Sequence, residues 1–347
     1  MTPADTGSAG HRVLIDSSDL DYVQPFGDTV LRAALRAGIG FPYECNSGGC
    51  GSCRFQLLEG EVDDLWPEAP GRSDRDRRTG RLLACQCRAT TDLRIAVRTS
   101  GEYVPPTRPV SRAATLLSVN DVTHDLRVFR FGTDGSAEFR PGQYAVLSIP
   151  GVASPRCYSM SNLANSQGEW EFIVRRVPGG EATGVLFDGL DIGDAVVIDG
   201  PYGLAWLRTE STRDIVCVAG GSGLAPMVSI ARGAADAGML KSRRLHFFYG
   251  ARTPSDVCGE QFLRELPSSD DRIDFHPVVS MAHLEPDTPW VGAIGFVHEA
   301  VGRILGGELT NLEWYFAGPP PMTTALQGTL AVDHRVPFDQ IHFDRFC

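Results

Sequence analysis

Between residues 10 and 100 apolar positions come in short groups separated by turn residues. Val13, Leu14 and Ile15, then Tyr22 and Val23, read as two short strands. Asp28-Thr29-Val30-Leu31 opens a helix with Asp28 as its N-cap and Val30, Leu31 and Leu35 on one face, ending near Gly38. A loop rich in Cys and Gly covers 40–52 and leads into a strand over 54–58. Further on, apolar runs at 115–119, 126–131, 144–149, 170–174 and 195–198 are short and bounded by turn residues. That pattern predicts an antiparallel barrel or sandwich. After Arg213 the spacing changes. Ile215-Val216-Cys217-Val218 is a buried-strand run, a glycine turn and a helix to about Ala237 follow, and 245–249 is the next strand. Strand and helix in alternation predict a parallel α/β domain.

Val104-Pro105-Pro106-Thr107-Arg108-Pro109 favours extended chain and marks a boundary. The expected division is 1–102, a linker at 103–109, a second module at 110–208 and a third at 209–347, as suits a chain of 347 residues. With 42% hydrophobic and 22% charged residues the composition is that of a soluble globular protein. A net charge of −11 argues against nucleic acid as a partner. The first ten residues lack a basic start and an apolar core, so no export signal is read there. The long uncharged stretch at 215–231 is interrupted by three glycines and a proline, which predicts strand–turn–helix rather than a membrane span. The expectation is a cytoplasmic chain, not bound to membranes, whose nine cysteines serve metal or redox chemistry rather than disulfides.

Cys45, Cys50 and Cys53 stand with four and two residues between them, and Cys85 follows after 31 more. This C-x4-C-x2-C…C spacing is that of a [2Fe–2S] cluster held by four thiolates. Gly48, Gly49 and Gly51 let the backbone wrap the cluster and aim N–H groups at its sulfurs. A zinc site is the alternative, but Cys85-Gln86-Cys87 lacks the spacing of a second zinc knuckle. Cys87 competes with Cys85 for the fourth position. Cys157, Cys217, Cys258 and Cys347 read as ordinary thiols. Between the third and fourth cluster cysteines, Arg72, Arg75, Arg77, Arg78 and Arg81 alternate with Asp74 and Asp76. This reads as a solvated charged segment, with the steering of an acidic partner as the alternative.

Gly220-Gly221-Ser222-Gly223 follows the strand at 215–218, and Pro226 suits the first turn of the helix. Such a turn lets a pyrophosphate approach the helix N-terminus. The acidic residue expected about twenty positions on is absent, with Lys241 and Arg243 there instead.

Together with Arg156-Cys157-Tyr158-Ser159, the motifs resemble the ferredoxin–NAD(P)+ reductase superfamily in type and order. Val177-Pro178-Gly179-Gly180-Glu181-Ala182-Thr183, Gly193-Asp194, Gly200-Pro201-Tyr202-Gly203 and Tyr315-Phe316-Ala317-Gly318-Pro319-Pro320-Pro321-Met322 complete the set. The segment Leu82-Leu83-Ala84-Cys85-Gln86 resembles the fourth-ligand segment of plant-type ferredoxins, which implies Cys85 as the fourth ligand. The resemblance covers nearly the whole chain and is closest to reductase components of bacterial multicomponent monooxygenases. Gln340-Ile341-His342-Phe343-Asp344-Arg345-Phe346 resembles their soluble diiron, toluene and alkene branch. The resemblance implies a β-grasp ferredoxin domain, an antiparallel β-barrel FAD domain and a parallel α/β NAD domain. It implies Arg156 at a flavin phosphate, Tyr158 against the isoalloxazine and Ser159 near the flavin N5. Gly179, Gly180 and Thr183 would meet the pyrophosphate of FAD. Gly220, Gly221, Gly223, Pro226, Gly318 and Pro319 would serve the nicotinamide nucleotide. Ala317 stands where the superfamily has a cysteine, so no thiol positions nicotinamide there. Asp256, after the second α/β strand, would repel a 2′-phosphate while Arg252 could attract one, and the family tips the expectation to NADH. Phe346 is either a gate stacked on the flavin or a packed chain end.

The implied reaction carries electrons from NADH through FAD and the cluster to a Rieske-type ferredoxin or a diiron hydroxylase component, with the chain as a monomer. The competing readings are the reductase of a Rieske ring-hydroxylating dioxygenase and a non-catalytic redox carrier or sensor.

Overall fold

The computed structural model describes residues 10–267, 271–307 and 309–346. Cys347 lies outside the described residues. The chain divides into two compact units, 1–110 and 111–346.

The first unit is built on a five-stranded sheet in the order β2-β1-β7-β3-β5. Its strands are β1 (Gly10–Ile15), β2 (Asp21–Pro25), β3 (Arg54–Glu59), β5 (Arg81–Leu83) and β7 (Leu93–Ala96), and β4 (Val62–Asp64) pairs apart with β6 (Cys87–Ala89). Helix α1 (Val30–Arg36) buries Val30, Leu31 and Leu35 as its periodicity predicts. Its N-cap is Thr29, not Asp28: the Thr29 hydroxyl accepts from Arg32 N at 3.2 Å. Asp28 stands one residue too early to cap. Its carboxylate instead accepts from Thr29 N and from Arg36 Nε, both at 2.9 Å, a negative charge held at the positive end of the helix. The charged segment forms the short helix α2 (Asp74–Arg78), closed by a capping box of Ser73 and Asp76. Arg54, Arg72 and Arg77 pair with Asp76, Asp64 and Asp74 respectively, so much of this charge is locally compensated.

The second unit carries two sheets. The first, in the order β11-β10-β13-β8-β9-β12, consists of β8 (Val110–Asp121), β9 (Leu126–Thr133), β10 (Tyr144–Ser148), β11 (Arg156–Ser159), β12 (Glu169–Arg175) and β13 (Ala195–Tyr202). Helix α3 (Glu181–Asp188) follows β12. Its core holds Phe129, Phe131, Trp170 and Phe172, the inward members of alternating strands. The other sheet, β17-β16-β15-β14-β18-β19, is parallel throughout. It comprises β14 (Asp214–Gly220), β15 (Leu245–Ala251), β16 (Ile273–Val279), β17 (Ala293–Ile294), β18 (Leu312–Gly318) and β19 (Ile341–Arg345). Helices α4 (Leu224–Asp236), α5 (Glu260–Arg264), α6 (Val297–Leu305) and α7 (Pro320–Gln327) connect them. Ile215 to Val218 are all fully buried, as a central parallel strand covered on both faces requires. No helix among the described residues is long and apolar enough to cross a membrane.

Candidate functional site

Cys45, Cys50 and Cys53 lie in the loop between α1 and β3, and Cys85 comes from the single turn Ala84–Gln86 after β5. The four sulfurs fall into two pairs: Cys45 lies beside Cys50, and Cys53 beside Cys85. Among the described residues no three of them gather around one point. One tetrahedral zinc needs four sulfurs about a single centre, whereas two bridged irons need two pairs. The donor set therefore fits a [2Fe–2S] cluster. Backbone amides already face the outer pair: Ser47 N and Cys50 N donate to Cys45 Sγ at 3.5 and 3.3 Å, and Ser52 N to Cys50 Sγ at 3.4 Å. The neighbouring Cys50 side chain, with the Ser47 and Cys50 amides, lowers the Cys45 thiol below its ordinary value against the opposing cost of burial. Gly48 holds φ +88°, and a Cβ there would lie 3.1 Å from the Trp66 ring. A side chain would be strained and crowded at once. Cys87 belongs to neither pair, and burial pushes its thiol well above the ordinary range.

On the flavin side, β11 runs along β10 with Tyr158 opposite Ala145 and Ser159 opposite Tyr144. Tyr158 is half-buried against the barrel core, and burial raises its phenol to about 12. Ser159 is buried. Arg156 donates to Ser154 O at 2.6 Å and reaches Glu181, the first residue of α3, at 3.4 Å. Thr183 Oγ1 accepts from Val177 N at 3.1 Å and so closes the turn that contains Gly179 and Gly180. Gly180 is the N-cap and leaves the first amides of α3 without a side-chain partner. A Cβ on Gly179 would meet nothing within 4 Å. Arg156, Gly179, Gly180 and Thr183 thus gather at the start of α3, whose first amides have no side-chain cap, which fits a pyrophosphate.

On the nucleotide side, Gly220, Gly221, Asp256 and Pro319 line a cavity of about 350 Å³. Tyr249, Phe296 and Met322 supply apolar wall, and Arg175 supplies a guanidinium. Gly221 has φ +57° and lies beneath Arg175, whose Nη1 would be 3.3 Å from a Cβ placed there. Gly223 does not line the cavity but shapes it. Its Cβ would fall 2.0 Å from Ala317 O, so only glycine lets α4 start this close to β18. Pro226 is buried within the first turn of α4. Gly318 accepts from Phe346 N at 3.2 Å, and the Phe346 ring packs against the core of the parallel sheet. Asp256 has a second duty, since its Oδ2 accepts from Thr253 N and Oγ1 at 3.0 and 3.1 Å to cap the turn after β15.

Several residues escaped the motif reading. Arg175 is bound to Asp125 at 2.6 Å across 50 positions, and both line the cavity. Arg232 on α4 donates to Ser161 O at 2.9 Å and to Glu171 Oε1 at 2.8 Å. Ser229, one turn earlier, donates to Asn162 O at 2.8 Å. The helix that starts at the glycine turn is thereby tied to the chain just after Ser159. Glu171 is buried, which favours its neutral form, but the charge of Arg232 and hydrogen bonds from Arg232, Ser161 and Arg130 outweigh this and hold it below the usual carboxylate range. Nothing local in the sequence marks these residues, because their partners are distant in the chain.

A cluster loop, a flavin barrel and a dinucleotide-binding sheet in one chain define a nicotinamide-dependent flavin and iron–sulfur oxidoreductase. Comparison with known proteins agrees in each part. Residues 13–90 match the 2Fe-2S iron-sulfur cluster binding domain, 113–206 the oxidoreductase FAD-binding domain and 217–328 the oxidoreductase NAD-binding domain. The ferredoxin–NAD(P)(+) reductase CarAd of Metapseudomonas resinovorans is 44% identical over 92% of this chain and 95% of its own. The ferredoxin–NAD(+) reductase component of the alkene monooxygenase system of Xanthobacter autotrophicus is 42% identical, again over 92% and 95%. Among solved structures, the ferredoxin reductase in carbazole 1,9a-dioxygenase superposes with a TM-score of 0.87 at 37% identity, covering 97% of this chain and 98% of that one. The chain belongs to the ferredoxin–NAD(P)+ reductase components of multicomponent monooxygenase and dioxygenase systems. Its cofactors are FAD, a [2Fe–2S] cluster and NADH.

Proposed function

We propose that this chain draws electron pairs from NADH and hands them on singly to the next protein of an oxygenase system, a Rieske-type ferredoxin or a diiron hydroxylase component. The observation that carries the reading is the joint presence of paired cluster thiols, an open pyrophosphate turn and a glycine-lined cavity. When bound, the flavin supplies the conversion between two-electron and one-electron transfer. The chain's own residues bind and orient. Cys45, Cys50, Cys53 and Cys85 hold the cluster, and N–H groups from Ser47, Cys50 and Ser52 stabilise its negative charge. Arg156 and the start of α3, with Gly179, Gly180 and Thr183, hold the FAD phosphates. Tyr158 would pack against the flavin ring and Ser159 would hydrogen-bond its reacting edge. Gly220, Gly221 and Arg175 receive the nucleotide pyrophosphate, and Gly223, Pro226 and Gly318 keep α4 and β18 close enough to form the wall. Phe346, whose N–H donates to Gly318 O, would be the residue that stacks against the flavin when it is bound. Hydride transfer needs no general acid or base, and none is assigned. The carboxylate of Asp256 at the cavity rim favours NADH over a 2′-phosphorylated coenzyme. The modules divide at 103–109 and near 208, and the chain works as a monomer in the cytoplasm, where Cys87, Cys157, Cys217 and Cys258 stay as free thiols.

The test compares two acceptors with NADH as donor. Wild-type protein should reduce ferricyanide and cytochrome c. Cys50→Ser should keep most ferricyanide turnover while cytochrome c turnover drops at least about tenfold, a barrier of about 1.4 kcal/mol. Cytochrome c turnover left unchanged by Cys50→Ser would place the cluster outside the electron path.

A further inference from the structure

Asn46 lies between Cys45 and Ser47 in the cluster loop and is only 8% exposed. Neither its Nδ2 nor its Oδ1 has a hydrogen-bond partner among the described residues, and both atoms are buried. An amide hidden from water without a partner is expensive, and buried polar groups are otherwise almost always satisfied. Its backbone holds φ +52°, a left-handed conformation that asparagine tolerates. Backbone shape alone would be met by glycine, which this loop uses at 48, 49 and 51 without burying an unpaired amide. A polar side chain at this point therefore needs a partner that the polypeptide does not supply. The group that this loop fits is rich in sulfur, and sulfur accepts hydrogen bonds. Of the two ends of the amide, only the NH2 can be satisfied there.

We infer that Asn46 donates its side-chain N–H to a sulfur of the [2Fe–2S] cluster and thereby sets the cluster's reduction potential. This rests on the cluster reading above. Reduction adds negative charge to the cluster, and a donor hydrogen bond favours the more negative state. Removing it lowers the potential. The donor adds to the backbone amides on Cys45 and Cys50 as a separate, side-chain contribution that substitution can remove.

Asn46→Gly keeps the left-handed backbone and deletes only the amide. An EPR-monitored redox titration of the full chain should find cluster content unchanged and the reduction equilibrium about tenfold less favourable, which for one electron is about 59 mV. An unchanged potential at full cluster content would overturn the inference. A second measurement needs no variant. Asn46 is the only asparagine in residues 1–110, the other four being Asn120, Asn162, Asn165 and Asn311 of the second unit. Protein carrying asparagine labelled with 15N at the side-chain amide should show coupling of that nitrogen to the reduced cluster in pulsed EPR. A reduced-cluster signal without this coupling overturns the inference and leaves the reductase intact. Absence of any reduced-cluster signal in wild-type protein overturns the cluster reading itself, and this inference with it.

Discussion

Cys85 and Cys87 are one residue apart from competing for the same iron, and the difference between them is geometric. Cys85 faces Cys53 from the single turn Ala84–Gln86, while Cys87 is buried on β6 and belongs to neither pair. Cys85→Ser should lose the cluster, and Cys87→Ser should keep it, as read from iron content and visible absorbance per chain. The spacing of the first three cysteines was legible in the sequence because metal ligation demands a fixed local loop. The spacing left Cys85 and Cys87 both open as the fourth, and only the resemblance of 82–86 to plant-type ferredoxins favoured Cys85, which the structure sets in the single turn Ala84–Gln86 while Cys87 lies on β6. Asp28 and Thr29 teach the same lesson on a smaller scale. Both are good capping residues, and only the backbone decides which one stands at the cap. At the flavin, Ser159→Ala should slow NADH–ferricyanide turnover by about tenfold, the worth of one hydrogen bond of about 1.4 kcal/mol in the transition state. An unchanged rate would move Ser159 from the reacting edge to the barrel core.

Helix α4 joins the nucleotide turn to the flavin strand, and its two ends were read very differently. The glycine turn and apolar run at its start were plain in the pattern. Arg232 was not, because its partner Glu171 lies 61 positions away and looks like any strand glutamate. Arg232→Met leaves Glu171 buried with Arg130 and Ser161 as its remaining partners. The cost should be about 3 kcal/mol in a urea melt of the chain. The pH dependence has a definite sign. Glu171 is held below its unfolded value, so its contribution is complete above about pH 4.5 and is lost as pH falls through the lowered value. Acidification from pH 5 to 3.5 should thus lower the melting temperature of wild type more than that of Arg232→Met. At the turn itself, Gly221→Ala forces a left-handed alanine beneath Arg175. The strain of about 1–2 kcal/mol should be felt in binding, raising KM for NADH by about tenfold with kcat little changed.

Across the whole molecule the three modules carry unequal charge. The first hundred residues hold 12 basic and 14 acidic side chains, so most of the net −11 lies in the flavin and nucleotide portion. The strand types, the parallel sheet and the cluster loop could all be read from the chain, because local periodicity and short motifs specify them. The meeting of Arg175 and Asp125 at the nucleotide cavity could not, since it depends on the pairing of β12 with β9, and the two residues lie 50 positions apart in the chain. The central claim is that one chain collects electrons from NADH on a flavin and passes them to a cluster. It is tested most directly by anaerobic titration of the purified protein with NADH, following the visible spectrum and the cluster EPR signal together. The account predicts bleaching of flavin and cluster bands, complete at about 1.5 NADH per chain, because FAD takes two electrons and the cluster one. A protein that lacks flavin absorbance, or whose spectrum NADH leaves unchanged, would contradict it.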